Sequence, residues 1–429
     1  MAHAPALAPA RAGAADAAAP RRPLASDRLA ALPPFLFDEI DRMKRRRIAA
    51  GADVINLGVG DPDKPTPGFI VEAMNAAMRE LGNQQYPAVG GGLRVFREAA
   101  ARFMQARFGV RVDPQRHVLA LMGSKDGIAH LPWAVTNPGD VVCVPDPAYP
   151  VYEIGAVLAG ARVHKMPASP ESGWAPEPAE IPGTIARAAR LLWVNFPSNP
   201  TAASAPPGLY ERVLGWARPR GVIVASDLAY SEVYLEGPEA RPPSLWEAPG
   251  ADPDTTLAIE FHSLSKTFNM TGWRIGFAVG HPEVIAALQA VKSNVDSGTF
   301  NAIQAAGAVA LDSFDHADVR AMRALYRARR DAVVPGLRAA GCEVRQPDAG
   351  FFVWARTPRG ADGTPVPSLE FAARLLEEGD TVVVPGGGFG PRGEPYFRVA
   401  LTVEADRLAE AARRIAAIDW TSPRPRARD

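Results

Sequence analysis

Between Val118 and Val279 the chain repeats one pattern: a short apolar run, then an amphipathic stretch. The runs are Val118–Met122, Val141–Pro145, Leu191–Asn195, Val222–Asp227, Leu257–Phe261 and Ile275–Val279. They are too short for helices and continuous rather than alternating, which marks strands buried on both faces. The stretches near 125–136, 150–160, 208–218 and 282–292 read as helices. A parallel neighbour is reached only by a crossover, so this alternation predicts an α/β fold. Its centre is a mostly parallel sheet with helices on both faces. From about residue 300 the pattern changes. A helical stretch over 316–340 precedes strands near 343–355, 381–384 and 396–400 and a helix near 404–418. This predicts a second, smaller α+β domain. There is no internal repeat.

Composition narrows the class of function. Lys+Arg and Asp+Glu are both 47, a formal net charge of zero, whereas a general nucleic-acid binder carries a basic excess. No apolar run reaches the roughly 18 residues that span a bilayer. Two cysteines, Cys143 and Cys342, make no disulfide framework and lack metal spacing, so no metal is expected. A soluble, cytoplasmic enzyme is the expectation. Residues 1–23 are rich in Ala and Pro and read as a disordered tail; their Arg content faintly resembles an organelle transit peptide, and a start codon assigned too early is the alternative. Residues 421–429 read as a second polar tail.

In an open α/β sheet, ligands gather at the carboxyl ends of the strands. There the chain places Gly123-Ser124-Lys125, Asp146-Pro147-Ala148-Tyr149-Pro150, Asn199-Pro200-Thr201, Asp227 with Tyr230, and Ser263-Leu264-Ser265-Lys266. Only six lysines exist, so lysine chemistry has few candidates. An isolated lysine usually snorkels at the surface. Lys266 ends a buried run among small hydroxyl residues, which suits covalent attachment of a carbonyl compound.

Ser-x-Ser-Lys, Gly-x-Arg-x-Gly downstream at Gly272–Gly276, Asn-Pro-Thr and Asp-x-x-Tyr resemble the class I/II, fold-type I, pyridoxal-phosphate-dependent aminotransferases. The resemblance runs from about residue 29 to 418. Longer stretches at Leu32–Asp41, Gly123–Leu131 and Glu260–Gly276 are most similar to the LL-diaminopimelate aminotransferase branch. The resemblance implies an N-terminal arm with part of the small domain over 24–64. It implies a large cofactor-binding domain over 65–300 and a small C-terminal domain over 301–420.

It also implies roles, each with a physical reason. Lys266 carries pyridoxal 5'-phosphate and moves protons at the substrate α-carbon. Asp227 pairs with the pyridine nitrogen and favours its protonated form. Tyr230 and Asn199 donate to the ring oxygen, and Tyr149 stacks on the ring. Gly123, Ser124 and Lys125 cradle the phosphate at a helix N-terminus, helped by Ser263 and by the fork of Arg274. Tyr86 reaches the phosphate of a partner subunit, so the implied assembly is a homodimer with shared active sites. Arg398 takes the substrate α-carboxylate with a planar fork that lysine lacks, and the backbone of Gly60 approaches the same group.

Two departures stand out. Ala202 replaces the usual glycine after Asn-Pro-Thr. Aspartate-type members place an arginine from the partner subunit ahead of a Ser-Asn-Pro-Pro stretch, where this chain has Lys292-Ser293-Asn294 and no arginine; Lys292 or another arginine is a candidate substitute. The branch implies LL-2,6-diaminopimelate and tetrahydrodipicolinate with glutamate and 2-oxoglutarate, a lysine-biosynthetic reaction. Alternatives are an aminotransferase for alanine, aspartate or aromatic amino acids, or a C–S β-lyase. A fused DNA-binding regulator would need a helix-turn-helix segment ahead of the core, where only the Ala/Pro tail stands. A cofactor-free scaffold would be expected to lose Lys266 or Asp227.

Overall fold

The structure, a computed structural model, describes residues 24–32, 37–87 and 91–422. Both expected tails, except Thr421 and Ser422, and residues 33–36 of the Leu32–Asp41 stretch lie outside them. The strands in chain order are β1 (Ile55–Asn56), β2 (Val118–Leu121), β3 (Val141–Asp146), β4 (Arg162–Pro167), β5 (Ala189–Asn195), β6 (Ile223–Asp227), β7 (Ala258–Ser263) and β8 (Gly276–Gly280). Then follow β9 (Glu343–Val344), β10 (Phe352–Arg356), β11 (Thr381–Val382), β12 (Val384–Pro385) and β13 (Tyr396–Ala400).

β2 to β8 form one sheet in the order β2-β8-β7-β6-β5-β3-β4. Pairing is parallel from β4 through β7, and β8 runs antiparallel to both its neighbours. All six apolar runs named above are strands of this sheet. β4 escaped that reading because it lies at an edge: of its six residues only Met166 is buried, so it lacks an apolar run.

Successive side chains of a strand point to opposite faces, and the core divides accordingly. Val118 and Ala120 of β2 join one apolar cluster, while Leu119 and Leu121 join another on the opposite face. The helices Ser124–Val135, Val151–Leu158, Leu209–Ala217 and Pro282–Val295 lie where the amphipathic stretches predict, within a few residues. The helices Phe37–Ala49, Gly68–Ala77, Arg94–Phe108, Asn301–Asp312 and Ser368–Gly379 were not anticipated.

The remaining strands make an antiparallel sheet, β12-β13-β10-β9, and a parallel pair, β1-β11. The expected strand over 343–355 is two, β9 and β10, with a loop between them. A third apolar cluster unites Ile40, Ile55 and Leu57 with Tyr326, Phe351, Phe397 and Leu408. Residues before 60 thus pack with residues beyond 320. The long helix Ala317–Ala339 lies against Ala405–Ala416.

The chain order of the large sheet reverses around β3: β4 lies on one side of it and β5 on the other. Such a reversal opens a crevice at the carboxyl ends, and the site lies there.

Candidate active site

The segments leaving β2, β3, β5, β6 and β7 converge on one cavity of about 330 Å³. Eleven of the thirteen residues singled out in the sequence line it; Gly123 and Tyr86 do not. Gly123 has φ +77°, and a Cβ there would collide with the Arg274 guanidinium. The positive φ favours glycine, and a side chain there would displace the Arg274 guanidinium from this place.

Lys266 sits in a single helical turn, Leu264–Thr267, whose start is capped by the Ser263 hydroxyl accepting from Ser265 N–H at 3.2 Å. Its ammonium donates to Gly60 O at 3.2 Å. Burial is the main reason its pKa falls to about 8; Arg274 and Arg398 push the same way and Asp61 opposes them. The neutral amine is thus a minority of roughly a tenth at pH 7, far more than for an ordinary lysine.

Asp227 ends β6, only 5 % exposed. Burial raises its pKa to about 6, and two hydrogen bonds pull it back. Tyr152 O–H donates to Oδ2 at 2.7 Å and Ala229 N–H to Oδ1 at 3.1 Å. Tyr230, three residues on, is buried edge-on to Phe351 and Phe352, and burial pushes its hydroxyl pKa up. It remains a proton donor at any working pH.

Arg398 projects from β13 between the rings of Phe352, 4.2 Å from its guanidinium carbon, and Phe389, at 5.0 Å. One end of the fork donates to Asn199 Oδ1 at 2.6 Å and the other to Gly58 O at 3.0 Å. Its Nε is buried and has no partner among the described residues. Burial lowers its pKa to about 10. Asn199 Oδ1 being committed to Arg398, its NH2 is the end left to donate. A Cβ at Gly60 would stand 2.7 Å from the Phe352 ring, so only glycine lets that backbone approach.

The first-turn amides of a helix have no intrahelical acceptors. Those of the helix Ser124–Val135 begin at the cavity wall, where Ser124 and Lys125 line it with Ser263 and Arg274. Arg274 is held in the left-handed region at φ +55° and donates to Thr271 O at 2.8 Å. Donors and positive charge thus collect at one end of the cavity, with Asp227 and Arg398 also in its wall. Lys125 Nζ lies 5.8 Å from the Tyr149 ring centre.

Tyr86, expected to serve a partner subunit's site rather than its own, is 90 % exposed and borders a different pocket, of about 230 Å³. Lys292 borders that second pocket too, and its charge is committed within its own subunit. Its buried ammonium is held by Asp126 and by Asp296, the latter at 2.8 Å. Asp126, Asp296 and His130 lie close enough together to share a cation, and the lysine supplies that charge.

Three residues that sequence reasoning passed over matter here. Tyr152 holds Asp227. Asn195 donates to Asp227 O at 2.8 Å and accepts from Asn199 N–H at 2.8 Å, joining two site residues. Phe352 supports Arg398 and Tyr230. The one available signal was the i, i+3 spacing of Tyr149 and Tyr152 at a helix start.

Solved structures with this fold include an aspartate aminotransferase double mutant from Thermus thermophilus. It has TM-score 0.83 and 29% identity, over 92% of this chain and 99% of that one. A probable N-succinyldiaminopimelate aminotransferase, also from Thermus thermophilus, matches at TM-score 0.81 and 34% identity, over 89% and 99%. The fold is that of the fold-type I aminotransferases. The family model for aminotransferase class I and II matches residues 52–415, and the chain belongs to that family. Among curated relatives, LL-diaminopimelate aminotransferase from Aquifex aeolicus (strain VF5) is 49% identical over 91% of this chain and 98% of its own. The enzyme of that name from Syntrophobacter fumaroxidans is 46% identical over 91% and 97%.

Proposed function

We propose that this aminotransferase uses pyridoxal phosphate to exchange an amino group between LL-2,6-diaminopimelate and 2-oxoglutarate. Tetrahydrodipicolinate and glutamate complete the pairs, in lysine biosynthesis. The observation that carries the transfer chemistry is one cavity holding a lysine with a depressed pKa, a buried carboxylate and a braced guanidinium. The substrate assignment rests on relatives of that name, 45–49% identical over nearly their whole length. The protein is read as a cytoplasmic homodimer, Tyr86 of each subunit serving the other's site.

The donor set fits the cofactor. First-turn amides, Ser124, Ser263 and Arg274 suit a phosphate, and an Arg274–Gly123 approach that a Cβ would block shapes that end. Asp227 suits a protonated ring nitrogen, Tyr230 and Asn199 a ring oxygen, Tyr149 a ring face, and Lys266 a carbonyl. Bound there, pyridoxal phosphate supplies an electron sink for the bonds at the substrate α-carbon.

The chain's own residues do the rest. Arg398 binds the substrate α-carboxylate and orients the α-carbon. Lys266 Nζ, once free, would take the α-proton and carry it across to the cofactor, and the reverse in the second half-reaction. Asp227 holds negative charge beside the ring nitrogen throughout, and Tyr230 keeps a proton at the ring oxygen. The two aromatic rings about Arg398 exclude water, which strengthens its bond to a carboxylate.

The test is a half-reaction panel: holoenzyme mixed with single amino acids while the visible absorbance of bound cofactor is followed. LL-2,6-diaminopimelate is expected to convert the cofactor faster than alanine, tyrosine or aspartate. Aspartate or an aromatic amino acid ahead by about tenfold, some 1.4 kcal/mol in transition-state terms, would overturn the substrate assignment.

A further inference from the structure

We infer that Tyr152 is a positioning residue: through its hydrogen bond it keeps Asp227 ionised and aimed at the cofactor's ring nitrogen. The inference rests on the functional reading above and deepens it.

Asp227 is enclosed, and a buried carboxylate survives as an anion only where donors replace water. Among the described residues its side chain has two, one on each oxygen: the Tyr152 hydroxyl and the Ala229 amide. The amide belongs to the turn that Asp227 itself begins, so it follows the carboxylate wherever the strand goes. Tyr152 is independent. It comes from the helix Val151–Leu158, after a different strand, and sets the carboxylate plane from outside.

That phenol is held rigidly. Its ring is fully buried and stacks on Trp193 of β5 at 4.8 Å and 20°, and Trp193 stacks on Phe261 of β7 at 5.7 Å. Ala225 of β6 lies between those strands on the same face and leaves room for the two rings to meet. Burial and the neighbouring carboxylate raise the Tyr152 pKa, so the hydroxyl stays a donor. The same bond acts against the burial that raises Asp227. Tyr152 also meets Tyr149 edge-on at 5.9 Å. The start of one helix therefore governs both the carboxylate and the aromatic face predicted to stack on the ring.

The test compares wild-type holoenzyme with Tyr152→Phe, which keeps the stack and loses only the hydroxyl. Pyridoxal phosphate labelled with 15N at the ring nitrogen reports protonation directly. In Tyr152→Phe that resonance is expected to move toward the unprotonated position. kcat is expected to fall about tenfold or more, with KM within about threefold, since Arg398 is untouched. On an Asp227→Asn background the same change is expected to cost less than about twofold, because Tyr152 acts through that carboxylate. Trp193→Phe, which loosens the stack but leaves the hydroxyl, is expected to lower the melting temperature without moving the nitrogen resonance. A purely structural Tyr152 would give the opposite division between the two variants. An unmoved resonance with kcat within twofold in Tyr152→Phe, or full additivity with Asp227→Asn, overturns this inference while leaving the aminotransferase reading intact. Wild-type protein that bound no pyridoxal phosphate would overturn both. If Tyr152→Phe did not fold, Tyr152→Leu, smaller and equally without a donor, would decide: it must shift the signal in the direction Asp227→Asn does.

Discussion

Two charges line the cavity, and they are held by opposite strategies. Asp227 belongs to the middle of the large sheet. Its donors come from its own turn and from the helix after β3, and its carbonyl is tied to Asn195 at the end of the adjacent strand. Everything that holds it lies within one layered unit. Arg398 belongs to the small sheet, and its acceptors come from elsewhere: Gly58 near the start of the chain and Asn199 beyond β5. The Gly58–Asp63 loop is itself pinned from the other end of the sequence. Thr402 O–H donates to Val59 O at 2.6 Å, and the buried Arg329 forks onto Asp63 at 2.6 and 2.7 Å. The carboxylate side is built within one part of the chain; the guanidinium side exists only where three distant segments meet. If the proposed roles hold, the first kind of wall suits the bound cofactor and the second a substrate that must come and go.

That contrast can be tested, and the largest effect lies at the lysine between the two sides. Lys266→Ala is expected to abolish multiple turnover, losing at least the 10²–10⁴-fold that a placed acid–base group contributes. Borohydride reduction of the holoenzyme followed by peptide mapping should mark Lys266; a mark on Lys125 or Lys292 would move the centre of the site elsewhere. Asp227→Asn comes next. It is expected to raise the barrier by on the order of 3 kcal/mol, about a hundredfold in kcat, with cofactor retained because the phosphate end is intact. Near-normal turnover would mean that another group pairs with the ring nitrogen.

Arg398→Lys keeps a charge and loses the fork, so one of its two acceptors and part of the substrate contact go unpaired. A loss of about 1.5–3 kcal/mol is expected, roughly tenfold to 150-fold in kcat/KM and carried mostly by KM. An effect confined to kcat would contradict its place on the substrate side. The pH dependence of cofactor capture is gentler. Only neutral Nζ attacks a carbonyl, and burial depresses the Lys266 pKa to about 8. Capture of pyridoxal phosphate by the apoprotein should therefore rise with pH and level off above about 8. A rise continuing to the usual lysine range, near 10.4, would show that the amine is not depressed. The smallest effect is expected at Tyr86→Phe. Loss of one hydroxyl contact should weaken cofactor retention by about 1 kcal/mol, or fivefold, in a protein that light scattering finds dimeric. An active monomer would refute the shared site.

Local chemistry decided what could be read from the chain alone. A strand buried on both faces must be an apolar run, and a ligand site in such a sheet must follow the strand ends. Lys266, Asp227, Asn199, Tyr149 and Gly123 were therefore legible from their positions after Phe261, Val224, Val194, Val144 and Leu121. β4 was not, because an edge strand needs no apolar run. Tyr152 was not, because a tyrosine in an amphipathic helix is ordinarily a packing residue, and nothing local says that its hydroxyl will meet a carboxylate from a strand 75 positions on. Lys292 looked like a candidate cation and proved to be a buried partner of Asp126, 166 positions away. The sequence by itself determined which residue types stand at the ends of which strands, since burial and period are properties of neighbours along the chain. Only the tertiary structure decided how the charges are tuned. The pKa of Asp227, the bracing of Arg398 and the neutral fraction of Lys266 come from desolvation and from partners that are distant in sequence, and neither exists until the chain has folded.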